Sequence, residues 1–340
     1  MKKLLNILYV TNPQSYLYKD GLNIVVAVEQ KDIFRVPVIN IEGIVTFGYL
    51  GCSPGLMKLC ADNKISLCFL SPHGRFIGRF QGPQTGNVLL RKIQYELYNN
   101  EDVSLHLACI VIASKISNYR SLLQRHQRDH GQREEIENSI ICLRQLQRQA
   151  FKCVSKADLL GIEGLAAKIY FGTLPHLILN TEKTFNFSGR NKRPPKDAVN
   201  ALLSFAYSLL TNEVTAALET VGLDAYLGFY HTLRPGRTSL ALDMIEEFRA
   251  YICDRFVLSL INRKQLRSNH FFYQGEEAIQ LTDDGRKIFL SAWQNRKKEE
   301  ITHPYLNEPV PLGLLPYLQA VLMSRHLRNQ IDDYPPFISK

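Results

Sequence analysis

The sequence predicts an α+β fold, with a small β-rich N-terminal domain over residues 1–82, a linker over 83–87 and a larger all-α domain over 88–340. Three observations predict this order. Short runs of β-favouring residues alternate with turn residues in the first part, a segment rich in chain breakers follows, and long stretches of helical period make up the remainder. With 340 residues, of which 45% are hydrophobic, the chain can bury at least one full core.

The N-terminal region is expected to consist of strands and one short helix. Residues 1–10 are briefly basic and then apolar, but no small-residue cleavage site follows, so we predict a first strand rather than a signal peptide. The Asp20-Gly21 pair between residues 16–18 and 22–28 is typical of a β-hairpin. Further elements are strands over 33–38, 44–47, 65–70 and 75–80, a turn at His73-Gly74 and a helix over 54–62.

Residues 81–87 combine glycine, proline and asparagine without an apolar period, which indicates a linker. Beyond them apolar residues recur at helical spacing, so the second domain is predicted to be all or mostly helical. The helical stretches are 88–98, 103–128, 133–152, 157–171, 197–221, 239–261 and 312–330. A weakly periodic insertion over 263–298 is expected to hold a small strand pair that includes 278–281.

The charge balance favours a polyanionic partner. The net charge is +9 and the isoelectric point is about 9.1, which fits nucleic acid or an acidic membrane surface. No apolar stretch reaches the roughly 18 to 20 residues that cross a bilayer, so a membrane protein is not expected. The 7 cysteines include no CxxC pair, which argues against a zinc knuckle and fits reduced thiols in a cytoplasmic protein.

The stretch 228–249 carries the strongest chemical signal. Asp243 and Glu246 stand three residues apart, on one face of a predicted helix whose other positions are mostly apolar. Burying carboxylates is costly unless a cation or a donor meets them, and His231 in the preceding loop could ligate the same cation. An ordinary acidic first turn beside a loop histidine remains the alternative interpretation.

A further carboxylate, Glu163, lies between glycines and alanines in the stretch 161–171. Glycines destabilise a helix, but they allow another helix or a DNA backbone to approach closely. The alternative is a solvated helix residue, and spacing gives no reason to join Glu163 to the downstream acids.

At these stretches the sequence resembles the CRISPR-associated integrase family, the metal-dependent nuclease subunit of the spacer-acquisition complex. The resemblance rests on Ile162-Glu163-Gly164 with its Ala-Ala-Lys-Ile-Tyr-Phe continuation, on Gly-Phe-Tyr-His over 228–231, and on the Ser-Leu-Ala-Leu-Asp-Met-Ile-Glu-Glu-Phe-Arg run over 239–249. It implies metal ligands at Glu163, His231 and Glu246, and an acid needed for activity at Asp243. Many members carry Asp where this chain has Glu246.

The resemblance also implies the reaction and the partners. A site of two carboxylates and one imidazole suits Mg²⁺ or Mn²⁺. The implied reaction inserts short double-stranded DNA fragments into CRISPR repeat DNA by attack of a 3′-hydroxyl, and the implied assembly is a homodimer through the β-domain, joined to the smaller second adaptation protein. Two alternatives stay open at this point: a non-catalytic DNA- or RNA-binding module, and a purely hydrolytic metal-dependent DNase.

Basic side chains near the proposed site are expected to bind DNA phosphates. Arg234 and Arg237 rank first because their loop adjoins His231, and Arg193 lies in a second basic loop. Further candidates, for which a solvated helix surface is the alternative, are Arg91, Lys92, Lys115, Arg120, Arg125, Arg128, Arg190, Lys192, Arg263, Lys264 and Arg267. Tyr170, Tyr207 and Tyr230 could stack on bases, although packing in the core is the favoured role for each.

Overall fold

The computed structural model describes residues 6–48, 51–72, 74–83, 88–191, 194–274 and 278–339. Several predictions therefore fall outside the described residues: the start of the first strand, His73, residues 84–87 of the linker, Lys192 and Arg193. The β-rich beginning and the mostly helical remainder are both confirmed, which establishes the predicted α+β class.

Two four-stranded sheets form the N-terminal region. The strands are β1 (Ile7–Val10), β2 (Ser15–Asp20), β3 (Asn23–Val28), β4 (Lys31–Pro37), β5 (Gly43–Phe47), β6 (Gly51–Cys52), β7 (Ser66–Leu70) and β8 (Phe76–Phe80). One sheet has the order β1-β5-β7-β8 and the other the order β4-β3-β2-β6. The predicted hairpin is present, since Asp20 pairs with Asn23 and Gly21 adopts a φ of +57° in the turn.

A short helix, α1 (Pro54–Asp62), lies between β6 and β7, as predicted. Its first turn is favoured because the Ser53 hydroxyl accepts a hydrogen bond from the Leu56 N–H and because proline suits the first helical position. The small β6 strand was not predicted, and it adds a parallel edge to β2.

The remainder is built from α2 (Val88–Asn99), α3 (Glu101–His130), α4 (Glu134–Phe151), α5 (Lys156–Thr173), α6 (Ala198–Val221), α7 (Ser239–Ile245), α8 (Arg255–Asn262), α9 (Asp283–Lys297) and α10 (Leu315–Leu327). A π-helical segment, Arg249–Asp254, lies between α7 and α8 and interrupts the single helix predicted there. The predicted strand pair is present as β9 (Phe271–Gln274) with β10 (Ala278–Leu281). An unpredicted pair, β11 (Glu300–Thr302) with β12 (Pro309–Pro311), means that the second region is not purely helical.

Two hydrophobic cores hold these elements. The smaller core lies between the two N-terminal sheets and includes Leu17 and Leu67. The larger core lies among the helices, and it takes in Phe47 and Leu70 from the other face of the β1-β5-β7-β8 sheet. That sheet is therefore covered on both faces, while the division of the chain into domains at 83–87 stays a prediction.

Among the described residues one helix, α6, is long and apolar enough to cross a membrane by length and composition. Its most apolar window is 67% buried inside the protein. The helix is therefore a core element, and its apolar character serves packing against its neighbours.

Candidate active site

Glu163, His231 and Glu246 lie close together around the helix α3. Glu163 lies on α5, His231 in the loop before α7, and Glu246 directly after α7. The ammonium of Lys115, in the middle of α3, forms ion pairs with Glu163 and with Oε2 of Glu246, the latter at 2.8 Å. The His231 Nε2 atom lies 4.0 Å from the other oxygen of Glu246. The three predicted ligands are thus neighbours, although Glu163 is distant in sequence.

Asp243 holds the loop that carries His231. Its carboxylate accepts hydrogen bonds from the backbone N–H groups of Phe229, Tyr230 and His231 at 2.6, 3.0 and 2.9 Å. It also contacts Nδ1 of the His231 ring at 2.7 Å. Because a carboxylate can only accept here, Nδ1 carries a proton, and in the neutral ring Nε2 keeps its lone pair. The contacts of Asp243 therefore fix the orientation of the His231 ring and turn Nε2 away from Asp243.

Gly228 makes room for this arrangement. A Cβ atom at this position would lie 2.6 Å from Oδ2 of Asp243 and 2.8 Å from the backbone nitrogen of Leu240. Any larger residue would therefore push the loop away from the Asp243 carboxylate. Close packing thus explains why the Gly-Phe-Tyr-His run begins with glycine, which the sequence alone did not show.

Glu246 is buried, with only 3% of its side chain exposed, and it is compensated by two cations. Arg249 Nη1 lies 3.1 Å from Oε1, opposite the Lys115 contact. Burial alone would raise the pKa of the Glu246 carboxyl, but Arg249 and Lys115 lower it to about 2. The group is a carboxylate over the whole physiological range.

Lys115 was expected to track DNA, and this expectation is wrong. Only 2% of its side chain is exposed, and its ammonium lies between two carboxylates. Burial alone would lower the pKa of Lys115, yet Glu246 and Glu163 raise it above its usual value. One signal could have identified this residue: it is the single charge in the long apolar run 107–119 of a helix.

Arg249 and Tyr230 are the other site residues that sequence reading did not assign. The Tyr230 hydroxyl is buried and, within the described part of the chain, has no hydrogen-bond partner. Burial raises the pKa of this hydroxyl, with a further contribution from the charge of Glu163. The hydroxyl is therefore a protonated donor that has no acceptor among the described residues.

The other two tyrosines pack in the core, as favoured. Tyr170 and Tyr207 donate hydrogen bonds to the two oxygens of Asp254 at 2.8 and 2.5 Å. The ring of Tyr170 stacks on Tyr119 with centroids 3.7 Å apart, and the Arg249 guanidinium lies 4.9 Å from the centre of the Tyr207 ring. This layer packs against the Arg249 guanidinium, which in turn pairs with Glu246.

The predicted DNA-binding arginines lie on the loop after His231. Arg234 is exposed and Arg237 is partly buried, with its Nη1 atom 3.5 Å from the Thr232 carbonyl. Among the residues that the structure describes, no carboxylate pairs with Arg234 or Arg237, so both side chains are open to a phosphate. Arg190 instead packs inward, where it donates to Asn200 at 2.7 Å and to Ser204 at 3.0 Å.

The donor chemistry fits a divalent cation. Glu163 and Glu246 already share one cation, and Nε2 of His231 lies 4.0 Å from Oε1 of Glu246. Two hard oxygen ligands with one imidazole suit Mg²⁺ or Mn²⁺. Over the described ranges, however, no three His, Cys, Asp or Glu side chains form a ready-made metal cluster. The gap between the two carboxylates is filled by the Lys115 ammonium.

The chain is similar to known proteins over almost its whole length. The profile of the family described as CRISPR associated protein Cas1 matches residues 8–295. A CRISPR-associated endonuclease Cas1 from Chlorobaculum tepidum is 44% identical over 341 residues, covering 99% of both chains.

Two solved structures share the fold. A casposase bound to integration product matches with a TM-score of 0.83 at 20% identity, over 96% of this chain and 92% of that one. A Cas6-RT-Cas1–Cas2 complex matches with a TM-score of 0.82 at 22% identity, over 98% of this chain. This chain spans only 36% of the matched polypeptide in that complex.

Proposed function

The chain belongs to the Cas1 family, and we propose that Glu163, His231 and Glu246 bind its catalytic metal ion while Asp243 positions His231. It is an endonuclease and integrase of CRISPR adaptation, which sets aside a non-catalytic nucleic-acid-binding module and a purely hydrolytic DNase. One observation carries the assignment of the site: two carboxylates from distant parts of the sequence share a cation beside an imidazole whose Nε2 is free.

We propose Mg²⁺ or Mn²⁺ as the ion of this metal-dependent family. When bound, such an ion lowers the pKa of a coordinated hydroxyl and neutralises charge on the phosphate under attack. Glu163, Glu246 and Nε2 of His231 supply its ligands. The Glu246 side chain reaches the site, since its Oε1 atom lies 4.0 Å from Nε2 of His231.

The proposed reaction is a transesterification. The 3′-oxygen of the incoming fragment forms a bond to a repeat phosphorus, and the bond from that phosphorus to the repeat 3′-oxygen breaks. The proton lost by the attacking hydroxyl is balanced by the one that the leaving oxygen gains. The buried Tyr230 hydroxyl is placed to donate to a phosphate oxygen, because no other group satisfies it in the described part of the chain.

We propose that DNA fragments and CRISPR repeat DNA are the substrates, held partly by Arg234, Arg237 and Arg193. The casposase described as bound to integration product has the same fold, which supports DNA as the class of substrate. A cytoplasmic location is part of the proposal, and the free state of all seven cysteines is in keeping with it.

We further propose a homodimer through the β-rich region, bridged by the smaller second adaptation protein. β4 forms one edge of its sheet, and Ile33 and Phe34 on it are 58% and 47% exposed. Such an edge can pair with a second chain. The bridging partner is supported by the Cas1–Cas2 composition of the matched complex.

The proposed ligands are tested with E163Q, H231N and E246Q. Each variant is expected to reduce Mn²⁺-dependent joining of a 3′-hydroxyl DNA end to a supercoiled target on the order of 10³-fold or more. DNA binding, measured by gel shift, is expected to stay close to that of the unmodified chain. The matched control is E219Q, because Glu219 pairs with Arg79 at 3.1 Å outside the site. Joining that persists in all three ligand variants would contradict the assignment.

A further inference from the structure

Lys115 lies where a cation between Glu163 and Glu246 would lie. Its Nζ atom contacts both carboxylates and lies 5.7 Å from the centre of the Tyr119 ring. Removing an ammonium from water is costly, and here that cost is offset by two opposite charges. The described geometry is therefore a closed ion cluster that needs no further cation.

The charges of the cluster balance. Glu163 and Glu246 supply two negative charges, while Lys115 and Arg249 supply two positive charges. A divalent ion added beside the ammonium would meet strong repulsion at short range in a buried site. The ammonium and the ion therefore exclude one another from the gap between the carboxylates.

The side chains differ in their freedom to move. Lysine carries a compact charge on a flexible stem of four carbons, whereas the guanidinium of Arg249 is held over the Tyr207 ring at 4.9 Å. The lysine is the cation that can leave while the arginine stays. Departure of Lys115 would open both carboxylates toward His231.

We propose that Lys115 is a built-in counter-cation that holds Glu163 and Glu246 together in the metal-free protein and competes with the divalent ion for them. This inference rests on the proposed metal site, and it adds a residue that lowers the affinity of that site for the metal. The affinity of the site for Mn²⁺ is accordingly lower than its ligands alone would give. In the metal-free state the lysine prevents repulsion between the two carboxylates.

The test removes the charge of Lys115 and keeps most of the length of its side chain. The full-length K115M variant is expected to bind Mn²⁺ about tenfold or more tightly than the unmodified chain, measured as free Mn²⁺ by electron paramagnetic resonance. Without metal its melting temperature is expected to fall, and Mn²⁺ is expected to raise that temperature more than in the unmodified chain. K115Q keeps hydrogen-bond donors without the charge, and it is measured in the same way should K115M fail to fold.

The matched control is K297M. Lys297 is also buried, with 6% of its side chain exposed, and pairs with Glu213 at 2.9 Å outside the site. This variant is expected to lose stability with no change in Mn²⁺ affinity, which separates loss of a buried ion pair from release of the metal ligands.

The outcomes distinguish the two proposals. If E163Q and E246Q weaken Mn²⁺ binding but K115M and K115Q bind it equally or more weakly than the unmodified chain, the lysine is not a competitor and the inference is overturned. If E163Q and E246Q leave Mn²⁺ binding unchanged, the proposed metal site itself is wrong. Tighter binding in the Lys115 variants, together with weaker binding in both glutamate variants, supports both.

Discussion

Asp243 is a buried carboxylate that organises the proposed site through the loop that carries His231. It is 2% exposed, and both of its oxygens accept hydrogen bonds from the loop 229–231. Four donors surround it, so its charge is satisfied before any metal binds. The acid that resemblance marks as needed for activity is thus assigned to the orientation of His231 rather than to the ion itself.

Substitution of Gly228 is expected to disturb this loop. In G228A the new methyl group would lie 2.6 Å from Oδ2 of Asp243 and 2.6 Å from the backbone carbon of Ser239, so the loop must shift. We expect Mn²⁺ affinity to fall about 10- to 100-fold, as for loss of a partner that orients a ligand, and stability to fall by about 1–3 kcal/mol. Calorimetric Mn²⁺ titration and urea unfolding measure the two effects.

Gly236 provides the control within the same loop. Its φ is +72°, so G236A is strained, yet the added Cβ would meet nothing within 4 Å. We expect G236A to lose about 1 kcal/mol of stability through backbone strain and to keep its Mn²⁺ affinity. Equal Mn²⁺ affinities for G228A and the unmodified chain would show that the loop position does not set ligation.

The sequence alone identified some residues of the candidate site and missed or misassigned others. Asp243 and Glu246 are brought together by helical spacing alone, and their apolar neighbours indicated burial. Glu163 entered only through resemblance, because nothing local reports that α5 and α7 both pack against α3 in space. Lys115 was misassigned because a basic side chain on a basic protein suggests DNA, and only tertiary packing shows which way it points.

At the scale of elements, the segment 334–339 fastens the end of α7 to α3. Asn118 donates to the carbonyls of Glu247 and Phe337 at 2.7 and 2.8 Å, and it accepts from the Ser339 N–H at 2.8 Å. All of these groups are buried or nearly so. The segment therefore supports the backbone directly after the proposed ligand Glu246.

Glu247 makes the stability of this contact depend on pH. It accepts hydrogen bonds from the Tyr334 hydroxyl and the Phe337 N–H at 2.5 Å, and burial raises its pKa to about 8. A raised carboxyl pKa contributes stability below its unfolded value of about 4.3, and this contribution is lost as the pH rises through 8. We expect the unfolding free energy of the metal-free protein, relative to E247Q, to fall by up to about 5 kcal/mol between pH 4.5 and 8.5.

Urea unfolding of both proteins in chelator, followed by circular dichroism across this pH range, measures that difference. E247Q serves as the reference because its side chain cannot ionise. A difference that stays constant with pH, or that grows as the pH rises, would contradict burial as the dominant influence on Glu247.

Long elements were predicted well, and short or interrupted ones were not. The helices α3 to α6 follow sustained apolar periods, so their positions were evident from sequence. α9 was hidden because Asp283-Asp284-Gly285 is typical of a turn, whereas here Thr282 caps a helix by accepting from the Gly285 N–H. The π-helical segment 249–254 has no periodic signature, and such segments are frequent at functional sites.

At the scale of the whole molecule, some basic side chains form buried ion pairs and others lie exposed at the surface. Lys115, Arg249 and Lys297 are paired with carboxylates inside the protein and cannot attract DNA. Arg234 and Arg237 remain on an accessible loop beside the site. These buried pairs are neutral and leave the net charge of +9 unchanged, so the cations available to phosphates are the ones that remain at the surface.

The salt dependence of DNA binding tests this distribution. Each phosphate contact contributes about −0.9 to the slope of log affinity against log salt for duplex DNA, so R234A/R237A is expected to reduce the slope by about 2. Fluorescence anisotropy between about 50 and 200 mM salt measures it. K58A/K64A removes the same charge from exposed positions around α1 and is expected to leave the slope unchanged. An unchanged slope in the arginine variant would remove those side chains from the DNA contact.

The open edge of β4 has a consequence for the newly synthesised protein. Its backbone groups, with Ile33 and Phe34 exposed, are a template for unspecific strand pairing. Lys31 and Arg35 place charges along the same strand, which discourages stacking of many copies. The homodimer that we propose would cover this edge, so aggregation during expression is expected to involve mainly protomers that have not yet dimerised.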